Sequence, residues 1–127
     1  MTKSHNETKN PLRTVSYALG FHFYTSIGHY CEVSVCSLEE FVSALQYVCS
    51  EAIAFHFERG DFQKWIRDII GDAELAKSID NIKLCSRDLS AECCRKELIE
   101  AVRIRIFQLE TNKIPPFFGG RKKKVIQ

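Results

Sequence analysis

Apolar side chains recur every three or four positions through most of residues 37–111, the spacing expected for one face of a helix. Ser37 and Glu40 begin the first such run with the pattern of a capping box. In this motif the serine hydroxyl accepts from the N–H of Glu40, and the glutamate reaches back to the N–H of Ser37. The pattern predicts a helix of about three turns after Ser37 and a second short helix from about Ser50.

Two Gly-Asp pairs punctuate the next part of the chain, at residues 60–61 and 71–72. Glycine suits the left-handed conformation just past a helix end, and aspartate is a favoured N-cap. We therefore predict one helix between the pairs and another after Asp72. Their inward faces carry Phe62, Trp65, Ile66, Ile69 and Ile70, and then Leu75, Ala76, Ile79 and Ile82.

A long helix is predicted from Asp88 or Ser90 to about Thr111, where Asn112 and two prolines end the pattern. Residues 15–35 lack this helical spacing: they are rich in aromatic and β-branched side chains and interrupted by glycines. A short strand or extended segment around residues 21–25 fits them, and so does irregular packing against the helices.

These elements predict an all-α or mostly α fold: a compact single-domain bundle of about five helices with a short, aromatic-rich extended N-terminal segment. We expect a flexible arm at residues 1–14, the helical domain at 15–112 and a basic, mobile tail at 113–127. Trp65 is expected to anchor the core. The predicted core consists of Phe41, Leu45, Phe57, Phe62, Trp65, Ile66, Ile69, Leu75, Ile79, Leu98, Val102 and Ile106.

Three segments of the chain resemble a small uncharacterised family of archaea and thermophilic bacteria. They are residues 37–41 (SLEEF), residues 56–66 (HFERGDFQKWI) and residues 71–76 (GDAELA). The resemblance extends over roughly residues 21–109. It implies a compact, mostly helical domain and carries no activity over to this chain.

Composition and charge narrow the class of protein. The chain has 127 residues, of which 45% are apolar and 27% charged, as in soluble globular domains. No stretch reaches the length of about 18–20 apolar residues that a membrane helix needs. The polar N-terminus lacks the apolar core of a secretory signal, so we expect a cytoplasmic protein without membrane contact.

The densest cluster of polar side chains beside apolar ones comprises His56, Glu58, Arg59 and Asp61. One interpretation is a small-ligand or anion site, in which His56 titrates near neutral pH. The favoured interpretation is structural, with Asp61 capping a helix and His56 hydrogen-bonded at a helix junction. Arg105 interrupts the apolar face of the last helix, so it either extends to solvent at the edge of that face or pairs with an acid such as Asp61, Asp68 or Asp72. The ion pair is the favoured interpretation, and binding of an anion is the alternative.

Six cysteines are many for a short cytoplasmic chain, yet none forms a CxxC motif. Cys49 and Cys94 fall on predicted apolar helix faces, where a thiol behaves as a small hydrophobe. His22, His29, Cys31 and Cys36 could form a metal site, but their spacing matches no common zinc finger. We therefore predict no metal and no cofactor, and a small Cys/His enzyme is kept as a third hypothesis.

The net charge of +2 is unevenly distributed, because residues 113–127 carry +5 and residues 15–112 carry −5. The basic run Arg121, Lys122, Lys123 and Lys124 could grip nucleic-acid phosphates, or serve as a solvated tail unless Phe117 and Phe118 dock. The leading functional hypothesis is a non-catalytic binding or regulatory module for a protein or small ligand. Nucleic-acid association through the tail is the alternative.

Overall fold

The computed structural model describes residues 10–85 and 90–111, without the side chains of residues 84 and 85. A 3₁₀ turn at Tyr17–Leu19 precedes an antiparallel hairpin of β1 (Phe21–Ser26) and β2 (His29–Val35). Five α-helices follow in the described residues: α1 (Leu38–Leu45), α2 (Ser50–Arg59), α3 (Asp61–Trp65), α4 (Ala73–Cys85) and α5 (Ala91–Thr111). A π-helical turn, Ile66–Ile70, extends α3. The prediction of a mostly α fold is confirmed, and the all-α alternative is wrong because of the hairpin.

The hairpin forms in the aromatic and β-branched segment of residues 15–35, whose pattern indicates no single element. A two-residue turn at Ile27 and Gly28 joins Ser26 to His29, and Gly28 takes a left-handed φ of 81°. Glu32 has a φ of 63°, and the pairing register shifts twice along the strands. These irregularities break the alternation of apolar and polar side chains, which is why the second strand leaves so weak a signal.

The inner face of β1 completes an aromatic core. Phe21 and Phe23 are buried there against Phe41, Phe62 and Trp65, with ring centroids such as those of Phe21 and Phe62 only 5.3 Å apart. Aromatic pairs at this distance add to the free energy gained by burying their area. The hairpin is therefore one wall of the core rather than an appendage to the bundle.

Most of the predicted core is buried, including Trp65, whose indole N–H donates to the carbonyl of Leu19 at 2.8 Å. Phe57, Ile69 and Ile106 are only partly buried against this core. The prediction for Cys49 is wrong: it is exposed, because it precedes α2 instead of lying on the inner face of α1. Cys94 is buried as predicted.

Three of the four predicted N-caps are present, among them Ser90 before α5, whose hydroxyl accepts from the N–H of Cys93 at 3.2 Å. The Ser37 hydroxyl accepts from the N–H of Glu40 at 3.1 Å, although the Glu40 carboxylate bonds the N–H of Cys36 rather than that of Ser37. Asp72 accepts from the N–H of Leu75 at 3.2 Å. Asp61 does not cap α3, and this prediction is wrong because its carboxylate bonds other side chains.

Cations from distant parts of the chain cover the C-terminal carbonyls of three helices. Arg95 donates to the carbonyls of Leu45, the last residue of α1, and Val48, three residues beyond it. Lys83 donates to Glu58 O near the end of α2. Arg13 donates to the carbonyls of Ile69 and Ile70, at the end of the π-helical turn. These carbonyls have no partner within their own helix, so each cation satisfies groups that the helix leaves open.

The two predicted terminal segments lie largely beyond the described residues. Residues 1–9 and 112–127 are outside them, so a flexible arm and a mobile basic tail stay predictions. Arg13 belongs to the predicted arm and makes the two bonds to the carbonyls that end the π-helical turn. In the described part of the chain, none of the helices has the length and apolar character needed to cross a membrane.

Candidate functional site

A groove of about 510 Å³ lies between the hairpin and the C-terminal half of α2. Tyr24 and Ile27 line its hairpin side, and Phe55 and Arg59 line its helical side. Phe55 is half-buried, whereas Ile27 is 77% exposed at the hairpin turn. The groove thus combines apolar walls with a few polar groups, as small-molecule and peptide sites do.

His56 lies beneath this groove with both ring nitrogens occupied. Its Nε2 accepts a hydrogen bond of 2.8 Å from the backbone N–H of Tyr24. The ring proton must therefore sit on Nδ1, which donates to Asp61 Oδ2 at 2.8 Å. A histidine without a free lone pair is a poor candidate for a general base or a metal ligand, so its role here is to hold β1 and Asp61 in place.

Burial lowers the pKa of His56 below its usual 6.5, and this effect outweighs the hydrogen bond from Nδ1 to Asp61, which acts to raise it. The imidazole is 4% exposed and lies edge-on to Phe21, with their centroids 4.8 Å apart. Protonation would also remove the acceptor that Tyr24 uses. The neutral ring is therefore the form that this site stabilises around neutral pH.

Arg59 lines the groove and is held there by Asp61. Its Nε donates to Asp61 Oδ2 at 2.9 Å, and its guanidinium carbon lies 5.0 Å from the centroid of the Phe55 ring. The side chain is 50% exposed, and its two terminal nitrogens bond no acceptor among the described residues. Held at one end and stacked on a ring, the guanidinium has its other edge available for a ligand.

Arg105, the fourth predicted ligand-binding residue, does not join His56, Arg59 and Asp61. Its Nε bonds the buried Asp72 at 2.8 Å, and its NH1 lies 3.3 Å from a carboxylate oxygen of Glu74. Asp72 was among the three acids proposed as its partner. Arg105 therefore links α5 to the start of α4, at a second groove on another part of the molecule.

Sequence reasoning missed the hairpin side of the groove, including His22, Tyr24 and Ile27. The repeated Phe-His-Phe at residues 21–23 and 55–57 is a sequence signal that points to this groove, since residues of both copies line it. The two histidines differ, however. His22 bonds the Ser34 hydroxyl at 2.7 Å on the outer face of the hairpin, whereas His56 is buried.

The geometry gives little support to a metal site or to a small Cys/His enzyme. In residues 10–85 and 90–111, no three His, Cys, Asp or Glu side chains are grouped so that they could hold a metal ion, and His29 bonds the Ser26 hydroxyl. Burial raises the pKa of the Cys94 thiol to about 12, and burial also raises that of Cys31. Thiols with raised pKa values are weak nucleophiles at neutral pH.

The predicted nucleic-acid site lies outside the described residues. Arg121, Lys122, Lys123 and Lys124 all belong to residues 112–127. Binding of nucleic acid by these cations therefore stays a prediction that the described residues do not test.

Comparison with known proteins gives one result. The model of a family described as "Family of unknown function (DUF5752)" matches residues 1–103. No curated protein and no solved structure matches the chain. The match covers most of the sequence and confirms the resemblance to an uncharacterised family. The chain therefore belongs to this family of unknown function, DUF5752.

Proposed function

We propose that this domain is a non-catalytic binding module whose ligand site is the groove between the hairpin and α2. The ligand class that fits is a small molecule or peptide segment with a carboxylate attached to an apolar or aromatic body. The exposed edge of Arg59 matches the carboxylate, and Phe55, Tyr24 and Ile27 match the apolar body.

The orientation of Arg59 carries the proposal. A free arginine loses rotamer entropy when it binds an anion, but Asp61 and Phe55 already restrain this side chain. His56 in turn fixes Asp61 by donating to the same oxygen, Oδ2. The buried histidine and the aspartate therefore form a support that holds one cation at the rim of an apolar groove.

The same arrangement argues against catalysis at this site. General acid–base chemistry needs a titratable group within reach of the substrate and free to exchange its proton. His56 has neither property, because Tyr24 occupies Nε2 and Asp61 occupies Nδ1.

Nuclear magnetic resonance titration of the ¹⁵N-labelled protein tests the proposal, with a panel of small aromatic carboxylates and the matching primary amides. We expect shift changes at Tyr24, Ile27, Gly28 and Phe55. The acids should bind about tenfold more tightly than the amides, a difference of about 1.4 kcal/mol. Arg59→Gln should abolish this preference and leave the fold unchanged.

Arg67→Gln is the matched control, because Arg67 is 49% exposed and its only described ion pair, with Asp68, is 3.9 Å long. This variant should keep the preference for acids. Equal binding of acids and amides by the wild-type protein would refute the carboxylate site, and a turnover lost in the Asp61→Asn variant would refute the non-catalytic assignment.

A further inference from the structure

A second groove, of about 310 Å³, lies between α4 and α5. Ile82, Ala101 and Ile104 supply its apolar surface, and Ile104 is 49% exposed. Phe107, one helical turn further along α5, is 64% exposed. An apolar strip of this kind on a surface helix usually has a covering partner.

The rim of this groove is acidic. Glu74, Glu97 and Glu100 line it, and Arg105 is the only cationic residue among its described lining residues. Arg105 is already committed to Asp72 and Glu74. Neither Glu97 nor Glu100 forms an ion pair with any residue in the described part of the chain. The groove therefore favours an occupant that has both apolar and cationic side chains.

We propose that the occupant is the chain's own C-terminal segment, residues 113–124. This segment carries five cations and no acid, and Phe117 and Phe118 precede its basic run. Its charge and apolar content are thus complementary to those of the groove. It is also tethered directly to the helix that forms one wall, which raises its effective concentration at the groove.

The reach of the segment fits this placement. Along α5, Ile104 lies about 10 Å and Glu97 about 21 Å before Thr111, at about 1.5 Å per residue. An extended chain spans about 3.3 Å per residue, so a segment that reverses direction within about three residues brings Phe117 level with Ile104. Continuing at the same rate of about 3.3 Å per residue, Arg121 comes level with residues 95–96, so the chain just before it passes Glu97 and Glu100.

The proposal has a functional consequence. Four of the five cations are those that a nucleic acid would bind, so the groove and a phosphate backbone would compete for them. Occupation of the groove would hold the basic run on the acidic body of the protein until a stronger polyanion displaced it.

The test uses full-length protein and ¹⁵N relaxation, with the amides of Gly119 and Gly120 as reporters. In low salt we expect heteronuclear NOE values for these amides close to those of α5. The double variant Glu97→Lys/Glu100→Lys should lower them to the values of a free chain. Adding Lys123→Glu/Lys124→Glu to that variant should restore them, because the charges are then exchanged between the two partners.

The double variant Glu39→Lys/Glu51→Lys is the control. It makes the same change of net charge at exposed acids in the first turns of α1 and α2. It should leave Gly119 and Gly120 as in the wild type. Free-chain values in the wild type, or no response to Glu97→Lys/Glu100→Lys, would overturn the proposal. A restraint that grows with protein concentration would also overturn it, since the segment would then bind a second copy.

Discussion

The backbone N–H of Tyr24 donates to the Nε2 of His56 at 2.8 Å, which fastens the first strand to the second helix through a buried, uncharged ring. The bond fixes the proton of His56 on Nδ1, and through it the positions of Asp61 and Arg59. The candidate ligand site therefore depends on a neutral histidine that a ligand would not touch.

The stability of the protein should fall as the pH drops below about 6.5, the pKa of His56 in the unfolded chain. Burial lowers the folded-state pKa, so the unfolded chain binds the proton first and protonation favours unfolding. The stabilisation that the neutral, buried His56 provides is complete above its unfolded-state pKa, and it decreases as the pH falls from there to its folded-state pKa. Chemical denaturation at several pH values between about 5 and 8 measures the slope.

His56→Gln should flatten this slope, because glutamine does not titrate. His29→Gln is the control, since His29 is exposed on the hairpin. Glu92 adds little to the slope in this range, because Arg95 and Ser50 lower the pKa of its carboxyl to about 2, so its contribution to stability is lost only as the pH falls below the ordinary value of 4.5. Identical slopes for the wild type and His56→Gln would show that another group carries the pH dependence.

Trp65→Ala should lower the free energy of unfolding by about 3–5 kcal/mol, the cost of removing a large buried ring. Trp65→Phe keeps most of the packing but loses the bond to Leu19 O, so it should cost about 1–2 kcal/mol. Urea titration followed by circular dichroism gives both values. Tyr47→Ala removes an aromatic ring that is 66% exposed, and it should change stability by less than about 0.5 kcal/mol.

Arg105→Met should destabilise the protein by about 3–5 kcal/mol, because it leaves the carboxylate of Asp72 buried without its cation. Adding Asp72→Asn should recover part of this loss, since asparagine still caps α4 and carries no charge. Thermal melts can compare the two variants with Arg67→Met, which removes an exposed side chain. If the double variant is no more stable than Arg105→Met, the buried charge is not the cause.

Gly20→Ala should cost about 1–3 kcal/mol, because an added Cβ would lie 2.6 Å from the carbonyl oxygen of Val35. Gly28→Ala adds a methyl group in open space, and only the left-handed backbone opposes it, at a cost of about 1 kcal/mol. Comparing the melting temperatures of the two variants distinguishes the steric clash at Gly20 from the backbone strain at Gly28. A neutral Gly20→Ala would mean that the backbone at Val35 moves freely.

The two Gly-Asp pairs show how far sequence reasoning reached. Both glycines take the predicted left-handed conformation, at φ 77° and 88°, because that requirement is local to a helix end. Only Asp72 caps its helix. The Asp61 carboxylate instead bonds His56 and Arg59, both in α2. A local sequence pattern does not specify whether an aspartate bonds the helix N-terminus or such side chains.

The hairpin and the groove it forms were less predictable for a similar reason. The strands are short, their register shifts, and their inner face reads as an aromatic-rich stretch without a clear period. The helix bounds, in contrast, follow from capping residues and apolar spacing that lie within each segment. Local signals therefore fixed the helices, while the ligand groove arose from pairings between residues as far apart as Tyr24 and His56.

The cations at the helix ends link segments across the whole chain: Arg13 to Ile69 and Ile70, Arg95 to Leu45 and Val48, and Lys83 to Glu58. Local bonds, such as that from the N–H of Gly60 to Phe57 O, close part of each helix end. The five carbonyls named above gain these side-chain donors only when a remote segment is in place. Melting should thus be cooperative, with the ends of α1, α2 and α3 protected from hydrogen exchange as one unit rather than fraying separately.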